Sequence, residues 1–378
     1  LLLLAVYALD CQGLSSKTYH KFDRLFVQKT DSYFTFFFFR GVYKMNTHKL
    51  GNSHLLTTDI GLGLAALGRP GYINLGHSDD LENNHDVRVM EARAHDVLDA
   101  AWEAGIRYFD VARSYGKAED FLHSWLQKRN IETDSITVAS KWGYTYTADW
   151  QVNVEQGKKH EVKEHSLTVL QRQTEESRKL LGEQLDLYQI HSTTLESGVL
   201  DNIPVLTELA RLRNDGLAIG LSVTGTAQAE TIERALEISF DGIPLFAAVQ
   251  ASWNVLERSV TAALQMAHDA GLGVIVKEGL ANGRLSTRNV APDFQKQMTL
   301  LQDLAEEQNS TVDALALAAV INQPFVDAVL SGAASVEHLQ SNIQALQIQW
   351  TDSLADHLQG LVEPVESYWQ TRSQLAWN

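Results

Sequence analysis

Between about residue 51 and residue 350 the chain alternates eight times between two hydrophobic periods. Runs of four to eight apolar, mostly β-branched or aromatic residues read as buried strands, at 59–64, 106–110, 136–141, 185–191, 218–223, 246–250, 273–277 and 326–330. Helical stretches separate them. In the first, Ala94, Val97, Leu98, Ala101 and Trp102 share one face, which Gly105 ends. Others are expected near 118–129, 166–182, 204–214, 228–238 and 260–267. Two more, at 298–308 and 311–322, precede the last strand, and one at 336–346 follows it. Polar loops are expected over 69–92, 142–164 and 278–294. Eight strand–helix units in about 290 residues predict a (β/α)8 TIM barrel. The runner-up is a doubly wound open sheet. Against it, Gly61-x-Gly63 with Gly68 spaces its third glycine two residues too late for a dinucleotide fingerprint.

The barrel is expected to occupy residues 45–350, with a C-terminal helical tail over 351–378. Residues 1–44 have a different character. They carry seven of the 13 phenylalanines and six Lys/Arg against three Asp/Glu, while the whole chain has a net charge of -16. Leu1 to Leu9 is apolar but lacks the basic start and small-residue cleavage site of a signal peptide, and it is too short to span a bilayer. The expectation is an upstream N-terminal extension outside the fold, with an organelle-targeting segment as the alternative. The acidity makes nucleic acid and anionic membrane poor partners. The single cysteine, Cys11, excludes a disulfide framework within the chain and fits a reducing, cytoplasmic setting.

In a barrel of this kind the C-terminal ends of the strands surround one cavity. The polar residues there are Asp110, Lys141, His191, Ser222 and Gln250, with Tyr115 in the turn after the second strand. Each has a structural reading: a turn or cap for Asp110, a packed loop aromatic for Tyr115, a snorkelling Lys141, a satisfied His191. Together they suggest chemistry. A tyrosine near an ammonium is expected to have a lowered pKa, a carboxylate keeps the lysine charged, and a histidine can donate to a substrate oxygen. A proton donor with no nucleophile needs a hydride source, which points to a nicotinamide cofactor. No H-x-H or clustered carboxylates suggest a metal site, so a metal-dependent hydrolase is a weak alternative.

Several segments then carry a resemblance. They are G-I-R-Y-F-D-V-A-R-S-Y-G-K-A-E (105–119), S-K-W (140–142), L-G-x-x-L-D-L-Y-Q-I-H (181–191), I-G-L-S (219–222), V-Q-A-S-W-N (249–254), G-V-I-V-K-E-G-L-A-N-G-R-L (273–285) and S-G-A-A-S-V-E-H-L-Q-S-N (331–342). In this order they resemble the aldo-keto reductase family. The resemblance implies a catalytic tetrad at Asp110, Tyr115, Lys141 and His191. Tyr115 would be the acid/base, Lys141 and Asp110 would tune it, and His191 would orient the carbonyl. It implies NADP(H) or NAD(H) as cofactor, with Gly63 and Leu64 beside it and Ser222 and Gln250 on the nicotinamide carboxamide. Val223 stands where the family often has Asn, and Lys277 where an aromatic often stacks on the ring. Glu278, Gly279 and Leu280 match the loop over the pyrophosphate. Gly332, Ser335, His338 and Asn342 match the adenosine end, where NADP-preferring members use Lys or Arg. No cation is fixed there, with Arg284 or Arg288 as candidates to swing in, so NADP(H) is only slightly favoured over NAD(H).

The substrate pocket is expected to use Ala65, Tyr144, Tyr146 and Trp150, with the tail around Trp369 and Trp377 closing over it. The partner would be a small carbonyl or alcohol: an aldehyde, a ketone or a sugar. A sugar (aldose or lactol) dehydrogenase is the main variant. A non-catalytic nucleotide-sensing regulatory subunit on the same barrel is the alternative from another class.

Overall fold

The computed structural model describes residues 45–155 and 157–378, and the expected extension over residues 1–44 lies outside them. Every apolar run forms a strand within two residues of its expected place. In order these are β1 Ile60–Gly63, β2 Tyr108–Asp110, β3 Thr137–Trp142, β4 Leu185–Thr193, β5 Ala218–Val223, β6 Ala248–Ser252, β7 Gly273–Lys277 and β8 Ala328–Ser331. Each pairs in parallel with the next, and β8 pairs with β1, so the sheet closes into a barrel. Around it run α1 Val87–Glu103, α2 Ala118–Arg129, α3 Leu167–Leu181, α4 Ile203–Asn214, α5 Gln228–Leu236, α6 Thr261–Asp269, α7 Gln295–Glu307, α8 Val312–Ile321 and α9 Val336–Ile343. The tail forms α10 Asp352–Gln359 and α11 Val365–Ser373. Among the described residues no helix is long and apolar enough to cross a membrane.

The strand period places the site. Inside the barrel, Tyr108, Ala139, Leu187, Ala248 and Ile275 pack in one cluster. Two residues further along each strand, on the same face, stand Asp110, Lys141, Gln189, Gln250 and Lys277. One apolar layer thus supports one polar layer, and the polar layer lies at the C-terminal ends. The other end is plugged by Leu50 and Leu55, which belong to the same interior cluster. They sit between two short strands, Thr47–Lys49 and Leu56–Thr58, paired as a hairpin.

Three local features depart from the sequence reading. Helix α1 begins at Val87, inside the expected polar loop, because the Asp86 side chain accepts hydrogen bonds from the backbone N–H groups of Arg88 and Val89. The expected loop 142–164 contains a hairpin of Tyr144–Tyr146 with Glu161–Lys163. Its strands lie too far apart in sequence to give a tight-turn signal. The floor hairpin at residues 47–58 was likewise not legible as strands.

Candidate active site

The turn after β2 depends on two glycines. Gly116 has a φ of +59°, which favours glycine. Gly68, in the loop after β1, lies so close that a Cβ there would stand 2.3 Å from the Tyr115 carbonyl oxygen. The Lys117 N–H donates to the Gly68 carbonyl at 2.7 Å. This contact fixes Tyr115 over the barrel mouth. Asp110 and Lys141 face each other inside β2 and β3, almost wholly buried and ion-paired through Oδ1. The second oxygen, Oδ2, accepts from the side-chain amides of Gln250 at 2.9 Å and Gln189 at 3.3 Å. The Lys141 ammonium also donates to the Val111 carbonyl at 3.2 Å and lies 3.5 Å from the Tyr115 hydroxyl, long for a hydrogen bond.

His191 completes the group. Its ring meets Tyr115 edge-on, with centroids 5.5 Å apart. The β4–β5 register is irregular between Ile190 and Thr193, and Ser192 has a positive φ of 51°. The Ser192 N–H therefore donates to the Ser222 hydroxyl at 2.8 Å instead of continuing the ladder. His165, missed by the sequence reading, bonds the His191 carbonyl through Nε2 at 2.9 Å. Burial pushes His165 down to about 4. Burial also holds His191 well below the ordinary histidine range, aided by the Lys141, Arg69 and Lys277 cations. His191 is thus neutral at physiological pH, with Nδ1 3.5 Å from the Ser114 hydroxyl.

Tyr115 corrects an expectation. The ammonium was expected to lower its pKa, but burial and the Asp110 carboxylate push it well above 10, with Arg69 opposing. Desolvation of a phenolate outweighs one cation held at long range. The phenol is accordingly held protonated.

These residues open into a cavity of about 780 Å³, within the range of about 300–1,000 Å³ typical of small-molecule sites. One end is lined by Asp110, Tyr115 and His191, together with Gly63, Ala65 and Gln250. The cavity then passes Lys277, Glu278, Gly279 and Leu280 and ends at Gly332, His338 and Asn342. That far end also includes Thr311, which caps the N-terminus of α8, and lies beside the N-terminus of α9. Helix N-termini favour phosphate.

Other candidates stand elsewhere. Leu64 is fully buried beside the cavity, its N–H on the Asp110 carbonyl at 2.9 Å. Ser222 is engaged by Ser192 and lies outside the lining. Ser335 caps α9 by accepting from the His338 N–H. Arg284 does not swing toward the adenosine end: both of its terminal nitrogens bond Glu363, at 3.1 and 2.5 Å. Arg288 does line the cavity, bonded to the Asp80 carboxylate and 2.9 Å from His338 Nε2. Tyr144 meets the His191 ring, with centroids 5.0 Å apart. None of Tyr144, Tyr146 and Trp150 lines the cavity. The Trp150 indole instead donates to the His85 carbonyl at 2.7 Å, and its ring packs edge-on against Phe121 of α2.

Five charged lining residues escaped the sequence reading: Arg69, Glu161, Glu306, Asp313 and Arg372. Arg372, on α11, clasps the Glu278 carboxylate through Nε and Nη2. This holds Glu278 well below the usual carboxylate range despite its burial. Lys277 donates to the Ser252 hydroxyl at 2.6 Å, and burial lowers it to about 8. In the tail, Trp369 is buried in the core, whereas Trp377 stacks on His160 and lies beside Arg69. The backbone of Asn378 pairs with that of Tyr72 in both directions.

The sequence matches the aldo/keto reductase family model over residues 59–363. The chain belongs to the aldo/keto reductase family. As a member it is an NAD(P)-dependent oxidoreductase. Among curated relatives, aldo-keto reductase str7 of Strobilurus tenacellus is 25% identical over 349 residues, covering 85% of this chain and 93% of its own. Norsolorinic acid reductase of Aspergillus flavus is 25% identical over 276 residues, covering 68% of each chain. Among solved structures, the holo form of aldo-keto reductase AKR11C1 from Bacillus halodurans has a TM-score of 0.62 at 22% identity. That likeness covers 84% of this reductase and 97% of the other chain, and it speaks for the fold.

Proposed function

We propose that this aldo-keto reductase reduces a carbonyl to an alcohol with Tyr115 as the general acid/base, Lys141 and Asp110 as its tuning pair, and His191 orienting the carbonyl. The observation that carries this is the meeting, at one cavity wall, of the Lys141–Asp110 pair, the Tyr115 hydroxyl and the His191 ring. When bound, NAD(P)H supplies the hydride that becomes the new C–H bond. Tyr115, held protonated, donates the proton that makes the O–H. As the phenol loses it, the Lys141 ammonium faces the growing negative charge, and Asp110 keeps that ammonium in place. Neutral His191 can donate a hydrogen bond to the carbonyl oxygen without bringing a second buried cation. The reverse reaction, alcohol oxidation, returns the proton along the same path.

The lining fits a dinucleotide: Gln250 near the catalytic group, Lys277 and the 278–280 loop midway, and two helix N-termini at the far end. Both cofactors should serve, with NADP(H) ahead by less than about tenfold. Arg288 and His338 suit a 2′-phosphate, but the Asp80 carboxylate already holds Arg288 and repels added negative charge.

The test is absorbance at 340 nm with each cofactor, aldehydes in one direction and sugars in the other, for the wild type and Tyr115→Phe. The variant should keep cofactor binding while turnover falls on the order of a hundredfold or more. Normal turnover by Tyr115→Phe would remove the proton-donor role. A hundredfold preference for NADH would overturn the cofactor ordering. Cofactor binding with no turnover of any carbonyl or sugar would favour the regulatory-subunit alternative.

A further inference from the structure

One cation in the cavity wall is neither part of the tetrad nor fully engaged. Arg69 is 3% exposed, and only one face of its guanidinium is used. Nη1 donates to the Ser114 carbonyl at 3.0 Å and to Glu161 Oε2 at 2.8 Å. Nε is buried without a partner, and the hydrogen bonds that Arg69 makes among the described residues both run through Nη1, leaving Nη2 without one. These two nitrogens form the side-on fork of a guanidinium, the geometry that matches the two oxygens of a carboxylate. The guanidinium carbon stands 5.3 Å from the centroids of the Tyr72 and Tyr115 rings and 4.8 Å from that of Trp377. It therefore lies beside the proposed proton donor, in an aromatic frame that fixes its orientation.

The other free-standing cations of this cavity are occupied. Arg372 is clasped by Glu278, and Lys277 is tied to Ser252. The Glu161 carboxylate meets only Nη1, on the side away from the open fork. A buried charged donor left unmade, as Nε is here, is costly, so this edge is built to receive an acceptor.

We propose that Arg69 anchors the substrate, and that the substrate class is a carbonyl compound bearing a carboxylate on a compact, preferably planar framework. This rests on the reading of Tyr115 as the proton donor. The carboxylate takes the Nε/Nη2 fork, the framework lies against Tyr72, and the carbonyl reaches Tyr115 and His191. The acid group enters and leaves unchanged; only the carbonyl is reduced.

The probes are 2-, 3- and 4-carboxybenzaldehyde, each against its methyl ester, with kcat/KM read at 340 nm in saturating NADPH. At least one acid should exceed its ester by about tenfold or more, since a site built for a polar group rejects an analogue lacking it. Arg69→Gln should bring that ratio to near one, chiefly through KM, and leave the NADPH dissociation constant unchanged. Arg69→Lys, which keeps the charge but not the fork, should fall between the two. Unaltered cofactor binding in both variants reports an intact barrel. Esters serving as well as acids in the wild type, or a preference that survives Arg69→Gln, would overturn the proposal. Titrating the same acids and esters against tryptophan fluorescence, with NADP bound, separates the two levels. Acids that bind more tightly but are never reduced support the anchor and count against the proposed reaction. Acids and esters binding alike count against the anchor.

Discussion

Aspartates stand at both ends of this barrel, but their surroundings differ: Asp110 is buried, whereas Asp186 and Asp327 are half-buried. At the C-terminal ends of the strands, Asp110 faces an ammonium and two side-chain amides. At the opposite end, Asp186 and Asp327 sit at the strand entrances and accept from backbone N–H groups, Val138 at 2.8 Å and Val274 at 2.7 Å. Desolvation dominates there: it raises Asp327 and carries Asp186 up to about 7. The same residue type thus serves two purposes. Where a cation answers it, the carboxylate holds a charge in place for chemistry. Where only backbone answers it, it caps a strand and is strained by its own charge. Replacing each by asparagine should therefore have opposite effects.

The largest effect is expected at Asp110→Asn. The substitution leaves a buried ammonium without its counter-charge and presents an amide to two amide donors. Breaking a buried ion pair from one side typically costs about 3–5 kcal/mol, and urea denaturation at pH 7 should show a loss of that order. Turnover should fall with it, because Lys141 is no longer held beside Tyr115. A stable, active Asp110→Asn would remove the contrast between the two ends.

Lys141→Met comes next. Asp110 keeps its two amide donors, so the barrel should lose less stability than in Asp110→Asn. Turnover should nevertheless fall on the order of a hundredfold, since nothing then faces the charge that develops on Tyr115. Single-turnover rates with prebound cofactor would check this. A change confined to KM would mean that Lys141 only shapes the pocket.

Much of this comparison was legible before the structure. Continuous apolar runs placed all eight strands, and the polar residues at their C-terminal ends named Asp110, Lys141, His191 and Gln250, because a barrel brings those ends around one cavity. Arg69, Glu161 and Arg372 were not legible. Arg69 meets Glu161 across 92 residues and Arg372 meets Glu278 across 94, through loops and a tail whose paths no local period encodes. The only sequence trace of Arg69 is its place after Gly68. Trp150 shows the converse: an aromatic in a loop beside a cavity can as easily pack outward, and here the His85 carbonyl and Phe121 hold it there.

The smallest and most discriminating effect concerns Asp186. Its pKa in the folded chain is about 7, against an ordinary value of 3.8. Between those values the folded state retains a proton that the unfolded state has released. Stability from this group is therefore fully present below pH 4, declines as the pH rises toward 7, and is lost above it. Asp186→Asn keeps an acceptor for the Val138 N–H and removes the charge. It should be close to neutral at pH 4 and stabilising at pH 8, raising Tm there by about 1–3 °C and flattening its fall with pH. Activity should be unaffected, because Asp186 lies at the closed end of the barrel, away from the cavity. Calorimetric scans of both proteins at half-unit pH steps would check this. A Tm lowered equally at every pH would mean that the carboxylate stabilises the strand entrance in its charged form, and the two ends would then differ in function but not in electrostatics.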